Sequence, residues 1–327
     1  MIEPALWHWI AFIGFVLAML ALDLMVLSRG GHEPTFRESL AWTAFWTGLA
    51  IVFNGLIWYG AGTEAAARFL TGYLVEWSLS LDNVFVFLVI FGYFGVPRAH
   101  QHRVLFWGIM GAIVMRLIFV LVGMELIARA EWVLPLFGVL IVYLGLKLAI
   151  QKEPDVHPEK NIVLRLARRL FRIAEHDQGG RFFVRDTAGR RLATPLFLVL
   201  LVIESADVVF AFDSVPAIFG ITTDPFIVFS SNILAILGLR ALYFLLAGVI
   251  DRFRYVNYGI SAVLVFVGAK MIGEFAAKHF GWIKPNEELI PYWGSLCVIA
   301  GLLAISIAAS LMIRPTNAKP PPSNSAR

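Results

Sequence analysis

Two stretches of this chain combine carboxylates and small polar side chains with long apolar runs. One is Val75-Glu76-Trp77-Ser78-Leu79-Ser80-Leu81-Asp82-Asn83-Val84-Phe85. The other is Ile203-Glu204-Ser205-Ala206-Asp207-Val208-Val209-Phe210-Ala211-Phe212-Asp213-Ser214-Val215-Pro216. Glu76, Asp82, Asn83, Glu204, Asp207, Asp213 and Ser214 make an all-oxygen ligand set. Such sets suit hard or borderline cations such as Mn2+, Mg2+ or Ca2+. A dedicated Zn2+ or Cu+ site would recruit His or Cys instead. Met115 and Met271 could add a thioether, but methionines on apolar helices more often pack. Carboxylates also exchange protons. Both stretches lie in runs long enough to cross a bilayer, where each charge costs roughly 2.5–3.5 kcal/mol on insertion scales. The acids therefore need partners, protons, water or a cation.

The spacing sets what one helix can do with them. At about 100° per residue, Glu204 and Asp207 share a face, while Asp213 is turned about 120° from Asp207. Glu76 and Asp82 diverge by about 120° as well. Pro216 has no N–H to return to the carbonyl of Phe212, so a kink there would free an oxygen beside Asp213 and Ser214. Broken helices at membrane depth line buried cavities. The first stretch has no matching proline, which predicts a site of approximate symmetry only.

The elements that must position these residues are membrane spans. Hydrophobic residues make up 59% of the chain and charged residues 15%, against roughly 25% charged in a soluble domain. The fold class is an all-α polytopic membrane protein. Nine apolar segments are expected: 6–27, 40–59, 69–94, 104–126, 132–150, 196–219, 226–250, 256–275 and 292–313. A single cysteine, Cys297, excludes an intrachain disulfide. The net charge of +4 calls for no nucleic-acid partner. No signal peptide is apparent: a basic n-region and a small-residue cleavage pattern are both missing. Of the 27 Lys and Arg residues, nineteen fall on the side of the central loop and four on the other. The excess of positive charge puts the central loop and C-terminus in the cytoplasm and the N-terminus outside, in a bacterial-type inner membrane.

The remaining four basic residues, Arg116, Lys147, Arg240 and Lys270, fall inside apolar segments, and their order exposes a repeat. Aligning Glu76…Asp82-Asn83 with Asp207…Asp213-Ser214 brings Arg116 onto Arg240 and Lys147 onto Lys270. Each unit has three segments, an odd number, so the two copies run through the membrane in opposite directions. Inverted-topology repeats of this kind build transporters with a site near the midplane. The expected organisation is two helices in 1–68, a three-helix repeat in 69–150, a basic cytoplasmic loop in 151–194, a second three-helix repeat in 195–276, a ninth helix in 277–313 and a disordered tail in 314–327. Within the loop, 161–172 reads as a basic amphipathic helix on the inner leaflet. Residues 181–191 read as a hairpin turning at Ala188-Gly189. A regulatory role for the loop is a further possibility, set against simple anchoring. The four intramembrane bases are expected to compensate the acids, either as a static ion-pair network or by holding an acid until a cation arrives. Asp23 reads as interfacial or paired rather than as a ligand. Glu204 aligns with Tyr73, not with an acid, and is the expected source of asymmetry.

The two motifs, continued by Thr223-Asp224-Pro225-Phe226 and Ser231-Asn232-Ile233-Leu234-Ala235-Ile236-Leu237-Gly238-Leu239-Arg240, resemble the TerC family of membrane proteins and, within it, the Alx-like manganese exporters. The resemblance covers about 20–313. It implies a nine-span carrier associated with Mn2+ export, with the metal path formed by Glu76, Asp82, Asn83, Glu204, Asp207, Asp213 and Ser214. The family's tellurite-resistance name does not make tellurite the substrate.

The expected function is export of divalent cations, Mn2+ foremost, by exchange with protons. The bilayer and the metal are its partners, and no cofactor is held permanently. The alternative is a non-transporting membrane partner that assists metal supply or stress resistance of other proteins. An intramembrane aspartyl hydrolase fits poorly, because the acids form two related sets and no nucleophile or zinc-protease motif accompanies them. No enzymatic activity is expected.

Overall fold

The computed structural model describes residues 6–27, 35–130, 132–150, 161–174, 179–185, 189–247, 255–284 and 287–312. The chain is a helical membrane protein. The helices are α1 (Leu6–Leu27), α2 (Phe36–Tyr93), α3 (Arg98–Arg129), α4 (Val133–Ile150), α5 (Ile162–Leu170), α6 (Pro195–Phe219), α7 (Pro225–Leu237), α8 (Leu239–Ala247), α9 (Val256–His279) and α10 (Tyr292–Met312). A two-stranded hairpin, β1 (Phe183–Arg185) and β2 (Arg191–Ala193), lies between α5 and α6. Among the described residues, eight helical stretches are long and apolar enough to cross a membrane, with α7 and α8 counted as one.

The nine expected segments fit into eight stretches because the second and third are fused. Helix α2 has 58 residues, about 87 Å at the usual rise, against a hydrocarbon core of about 30 Å. The connection expected near residues 60–68 is helical because Ala61, Ala65, Ala66 and Ala67 are strong helix formers. Glu64 and Arg68 add an ion pair at 2.6 Å, one turn apart. The backbone departs from the helix at Gly62 alone, with φ 88° and ψ 178°, a conformation open in practice only to glycine. Gly62 thus divides α2 into two arms. Helices α7 and α8 meet at Gly238, whose backbone stays in the right-handed region with φ −77° and ψ −11°, and where an added Cβ would stand 3.3 Å from the Trp46 Cβ.

The kink expected at Pro216 does not break the helix. Helix α6 runs on to Phe219, and the backbone N–H of Gly220 returns to the Pro216 carbonyl at 3.2 Å. Pro216 withholds only its own N–H, from the Phe212 carbonyl, and the ladder resumes beyond it to close the last turn. Helix α7 starts sharply: the Asp224 carboxylate accepts from the N–H groups of Phe226 and Ile227 at 3.0 and 3.2 Å, and Pro225 follows it.

The core is built from a few close helix pairs. Helix α7 is buried along its whole length and packs on α2, while α3 packs on α6 and α4 on α9. The α4–α9 pair closes at small residues. The Ser261 hydroxyl donates to the Gly145 carbonyl at 2.5 Å, and a Cβ added at Gly268 would stand 2.5 Å from the Gly138 carbonyl oxygen. Residue numbers rise on one helix as they fall on the other, so the pair is antiparallel. Apolar association alone is weak in lipid, and close backbone approach at small residues supplies dispersion contacts in its place. Helix α1 is peripheral: Phe12, Val16 and Leu20 are buried, with Phe12 on Phe53 and Phe226, while Leu6, Trp7, Ile10, Ile13 and Leu17 face outward.

The loop expectations take definite form. Residues 162–170 form α5, and 183–185 pair antiparallel with 191–193, with Arg185 opposite Arg191. The expected turn residue Ala188, residues 151–160 and the tail 314–327 lie outside the described residues.

Candidate carboxylate site between α2, α3 and α6

Helix α6 packs against α2 on one side and α3 on the other, which brings the two acidic motifs together. Glu76, on the second arm of α2, is 2% exposed, and Asp207 on α6 is 8% exposed. Arg116 reaches in from α3. Its Nη2 donates to Glu76 Oε1 at 2.7 Å and its Nη1 to Oε2 at 3.3 Å, a bidentate pair. Nη1 also donates to Ser214 Oγ, whose hydroxyl proton goes to the Phe210 carbonyl at 2.9 Å. Asp207 has Glu204, Arg116 and Glu76 as its electrostatic neighbours. The described cluster therefore contains Glu76, Glu204, Asp207, Ser214 and Arg116.

Two glycines on α3 make room for it. Gly108 faces Ile203, and a Cβ at Gly111 would overlap the Glu204 carboxylate. Neither glycine was expected at the site, although Gly108 and Ala112, four apart on a membrane helix, form a recognisable close-approach signal. The obstacle at Gly111 is the end of a flexible side chain, so Gly111→Ala should fold normally while pushing Glu204 aside. The variant is expected to match wild type in thermal stability and to lose roughly ten- to a hundredfold of any ion flux through the cluster, the scale of a displacement of about 1 Å. Stability and vesicle uptake measured together check it.

The other expected site residues go elsewhere. Asp82 is half-buried without a hydrogen bond or ion pair among the described residues, and Asn83 is buried beside it. Asp213 belongs to the helical run of α6, but its side chain lies outside the described residues. Among the described residues, no three His, Cys, Asp or Glu side chains stand together as metal ligands. The guanidinium of Arg116 occupies the position of positive charge between the motifs.

Of the four intramembrane bases, Arg116 is the one that bonds a motif acid among the described residues. Arg240 instead pairs with Asp23 of α1 at 2.5 Å and donates to the Asp23 carbonyl at 3.0 Å. That satisfies the expectation that Asp23 is paired, and it ties the peripheral first helix to the core. Lys147 is exposed in the last turn of α4, where a cation meets the negative end of the helix dipole. Lys270 is buried near Glu288 and Glu274. Glu288 also pairs with Arg68, and Glu274 pairs with Lys278 at 2.8 Å. This second charged cluster was not foreseen, because its members come from α2, α9 and a loop after α9 that the repeat alignment leaves out.

Residues 61–318 match the family described as integral membrane protein TerC. An uncharacterized membrane protein of Myxococcus xanthus is 48% identical over 304 residues, covering 93% of this chain and 92% of the relative. A Salmonella typhi protein named "Putative membrane-bound redox modulator Alx" is 42% identical over 319 residues, with 95% of each chain covered. The protein of the same name from Escherichia coli K12 is 46% identical over 278 residues, covering 82% of this chain and 86% of the relative. No solved structure matches the chain. With its helical membrane fold and a family match over most of its length, the chain belongs to the TerC family of integral membrane proteins.

Proposed function

We propose that the chain is a carrier that exports divalent cations, Mn2+ foremost, from the cytoplasm by exchange with protons. One observation carries this reading: Asp207 lies among Glu204, Glu76 and the Arg116 guanidinium that holds Glu76, inside membrane-crossing helices. Three negative charges against one positive leave two to be neutralised. One divalent cation or two protons would neutralise them. A structural ion pair needs no such surplus, and intramembrane ionisable groups beyond a neutral pair mark ion paths. The oxygen-only donors and the resemblance to manganese exporters favour Mn2+ over thiophilic metals.

In this mechanism Arg116 is a tethered stand-in for the metal. It holds Glu76 when no cation is bound and swings away as the cation arrives. Ser214 offers it one further hydrogen bond in the held state. Alternating access would come from two three-helix units of opposite orientation. The helix pairs support that reading, since exchanging the units turns the α2–α7 pair into α6–α3 and returns α4–α9 to itself. The host membrane is then a bacterial-type inner membrane, with the N-terminus outside and the basic loop in the cytoplasm.

A second reading draws on the redox-modulator name borne by the relatives. A chain with one cysteine has no dithiol of its own to cycle. A redox effect through this chain would come indirectly, from the level of a redox-active cation or from a partner protein. Both readings meet in one measurement: Mn2+ uptake into liposomes holding purified wild type or Asp207→Asn. Uptake by wild type and background flux in the variant are expected. No uptake by either protein would favour the non-transporting partner, and equal uptake by both would overturn the assignment of the site.

A further inference from the structure

Helix α5 has three different sides. At 100° per residue, Leu164, Ala167 and Phe171 share one side; Leu164 and Ala167 are fully buried, and Phe171 packs edge-on against Phe197 of α6 with ring centroids 5.4 Å apart. Ile162, Leu166 and Leu170 share a second side and are 72%, 53% and 69% exposed. Arg165, Arg168 and Arg169 take the third side, exposed and without an ion pair among the described residues. An exposed stripe of three large aliphatic side chains is unfavourable in water, and a row of guanidinium groups is unfavourable in hydrocarbon. The boundary between acyl chains and phosphates satisfies both.

The helix is fastened to α6 at both ends. At one end Phe171 meets Phe197. At the other, Asn161 caps α5, its Oδ1 accepting from the N–H groups of Val163 and Leu164 at 2.8 and 3.1 Å. The same side chain donates through Nδ2 to Ser205 Oγ at 2.8 Å. Ser205 stands between Glu204 and Asp207 in sequence, so the cap of the amphipathic helix holds the motif helix beside its acids. The two fastening points make α5 antiparallel to the first half of α6. It does not lie flat and separate on the leaflet.

We propose that α5 docks anionic phospholipid headgroups of the leaflet on the basic-loop side, and that the Asn161–Ser205 hydrogen bond passes this docking to the carboxylate site on α6. Lipid is the occupant because a guanidinium row beside a bare aliphatic stripe complements a phosphate plane above acyl chains. The docking half stands whether or not the chain transports ions, and the coupling half rests on α6 carrying the functional acids.

The test uses full-length protein with Cys297→Ser and Leu166→Cys, labelled with an environment-sensitive fluorophore, in phosphatidylcholine bilayers with and without phosphatidylglycerol. Phosphatidylglycerol is expected to blue-shift the label and shield it from iodide. Exchanging Arg165, Arg168 and Arg169 for Gln should weaken that preference about a hundredfold, at roughly fivefold per arginine near an anionic surface. A label equally open to iodide in both bilayers overturns the docking, and points to a water-soluble partner for this face. The first comparison uses one protein in two bilayers, so a misfolded variant does not decide it. Hydrogen exchange of the backbone around Ser205 reads the coupling. Phosphatidylglycerol should slow it in the parent protein and leave Asn161→Ala unchanged, and equal protection in both overturns the coupling. Neither readout depends on Mn2+ flux, so failure here is separable from failure of the transport reading.

Discussion

Arg116→Gln is expected to destabilise the protein by about 3–5 kcal/mol, the cost of leaving one partner of a buried pair uncompensated. Glu76 is 2% exposed and Arg116 5% exposed, and their two hydrogen bonds run at 2.7 and 3.3 Å. Water cannot take over from the missing guanidinium, so Glu76 must take up a proton or draw in a cation. The double variant Glu76→Gln with Arg116→Gln removes both charges and keeps two amides that can bond each other, so most of the lost stability should return. Transport should be absent from both variants, because the double variant has lost a ligand. Arg116→Lys should fall between them, since an ammonium keeps the charge but not the bidentate fork. Thermal unfolding in detergent, followed beside Mn2+ uptake, reads both quantities. A double variant no more stable than the single would mean that the charge pair is not what Arg116 supplies.

The pairing just described separates what could be read from the chain and what could not. Hydropathy gave the spans closely: 6–27 for α1 and 132–150 against Val133–Ile150 for α4. It placed a connection between the second and third segments because apolarity falls there. The polar residues Glu64 and Arg68 pair with each other along a helix, and the backbone departs only at Gly62. The motif acids were legible because charge at membrane depth is costly and therefore rare. Which base serves which acid was not legible. The alignment makes Arg116 and Arg240 equivalents, yet Arg116 meets Glu76 while Arg240 meets Asp23 of a helix outside the repeat. Partner choice depends on how helices dock, and periodicity within one segment carries no record of that. At Pro216 the helix continues to Phe219 without a break, and the carbonyl that the proline leaves without an N–H is that of Phe212, about two turns before the end of α6.

Gly268→Val is expected to be the most damaging single substitution in the scaffold. Its Cβ would lie 2.5 Å from the Gly138 carbonyl oxygen and 3.0 Å from the Val142 nitrogen, both backbone atoms of the facing helix. A flexible side chain could turn aside, but a helix backbone must move as a body, and here α4 and α9 are each other's principal neighbours. Overpacking of this kind costs about 1–3 kcal/mol where side chains can yield, and more where they cannot. Loss of folded protein on size-exclusion chromatography is the expected outcome. Gly301→Val on α10 is the control, because nothing lies within 4 Å of its added Cβ. Gly145→Val carries the sharper information. Under the repeat alignment Gly145 is the equivalent of Gly268, and Gly138 of Ser261. The Gly268–Gly138 contact then maps onto the Gly145–Ser261 contact, where the hydroxyl bonds the carbonyl at 2.5 Å. An added Cβ at Gly145 would stand 3.0 Å from the Ser261 carbonyl oxygen, again backbone. The two substitutions should therefore damage the same interface in the same direction, with Gly145→Val the milder. If Gly145→Val behaved like the α10 control, the α4–α9 crossing would be a one-sided contact, and the case for two units exchanging places across the membrane would lose its structural support.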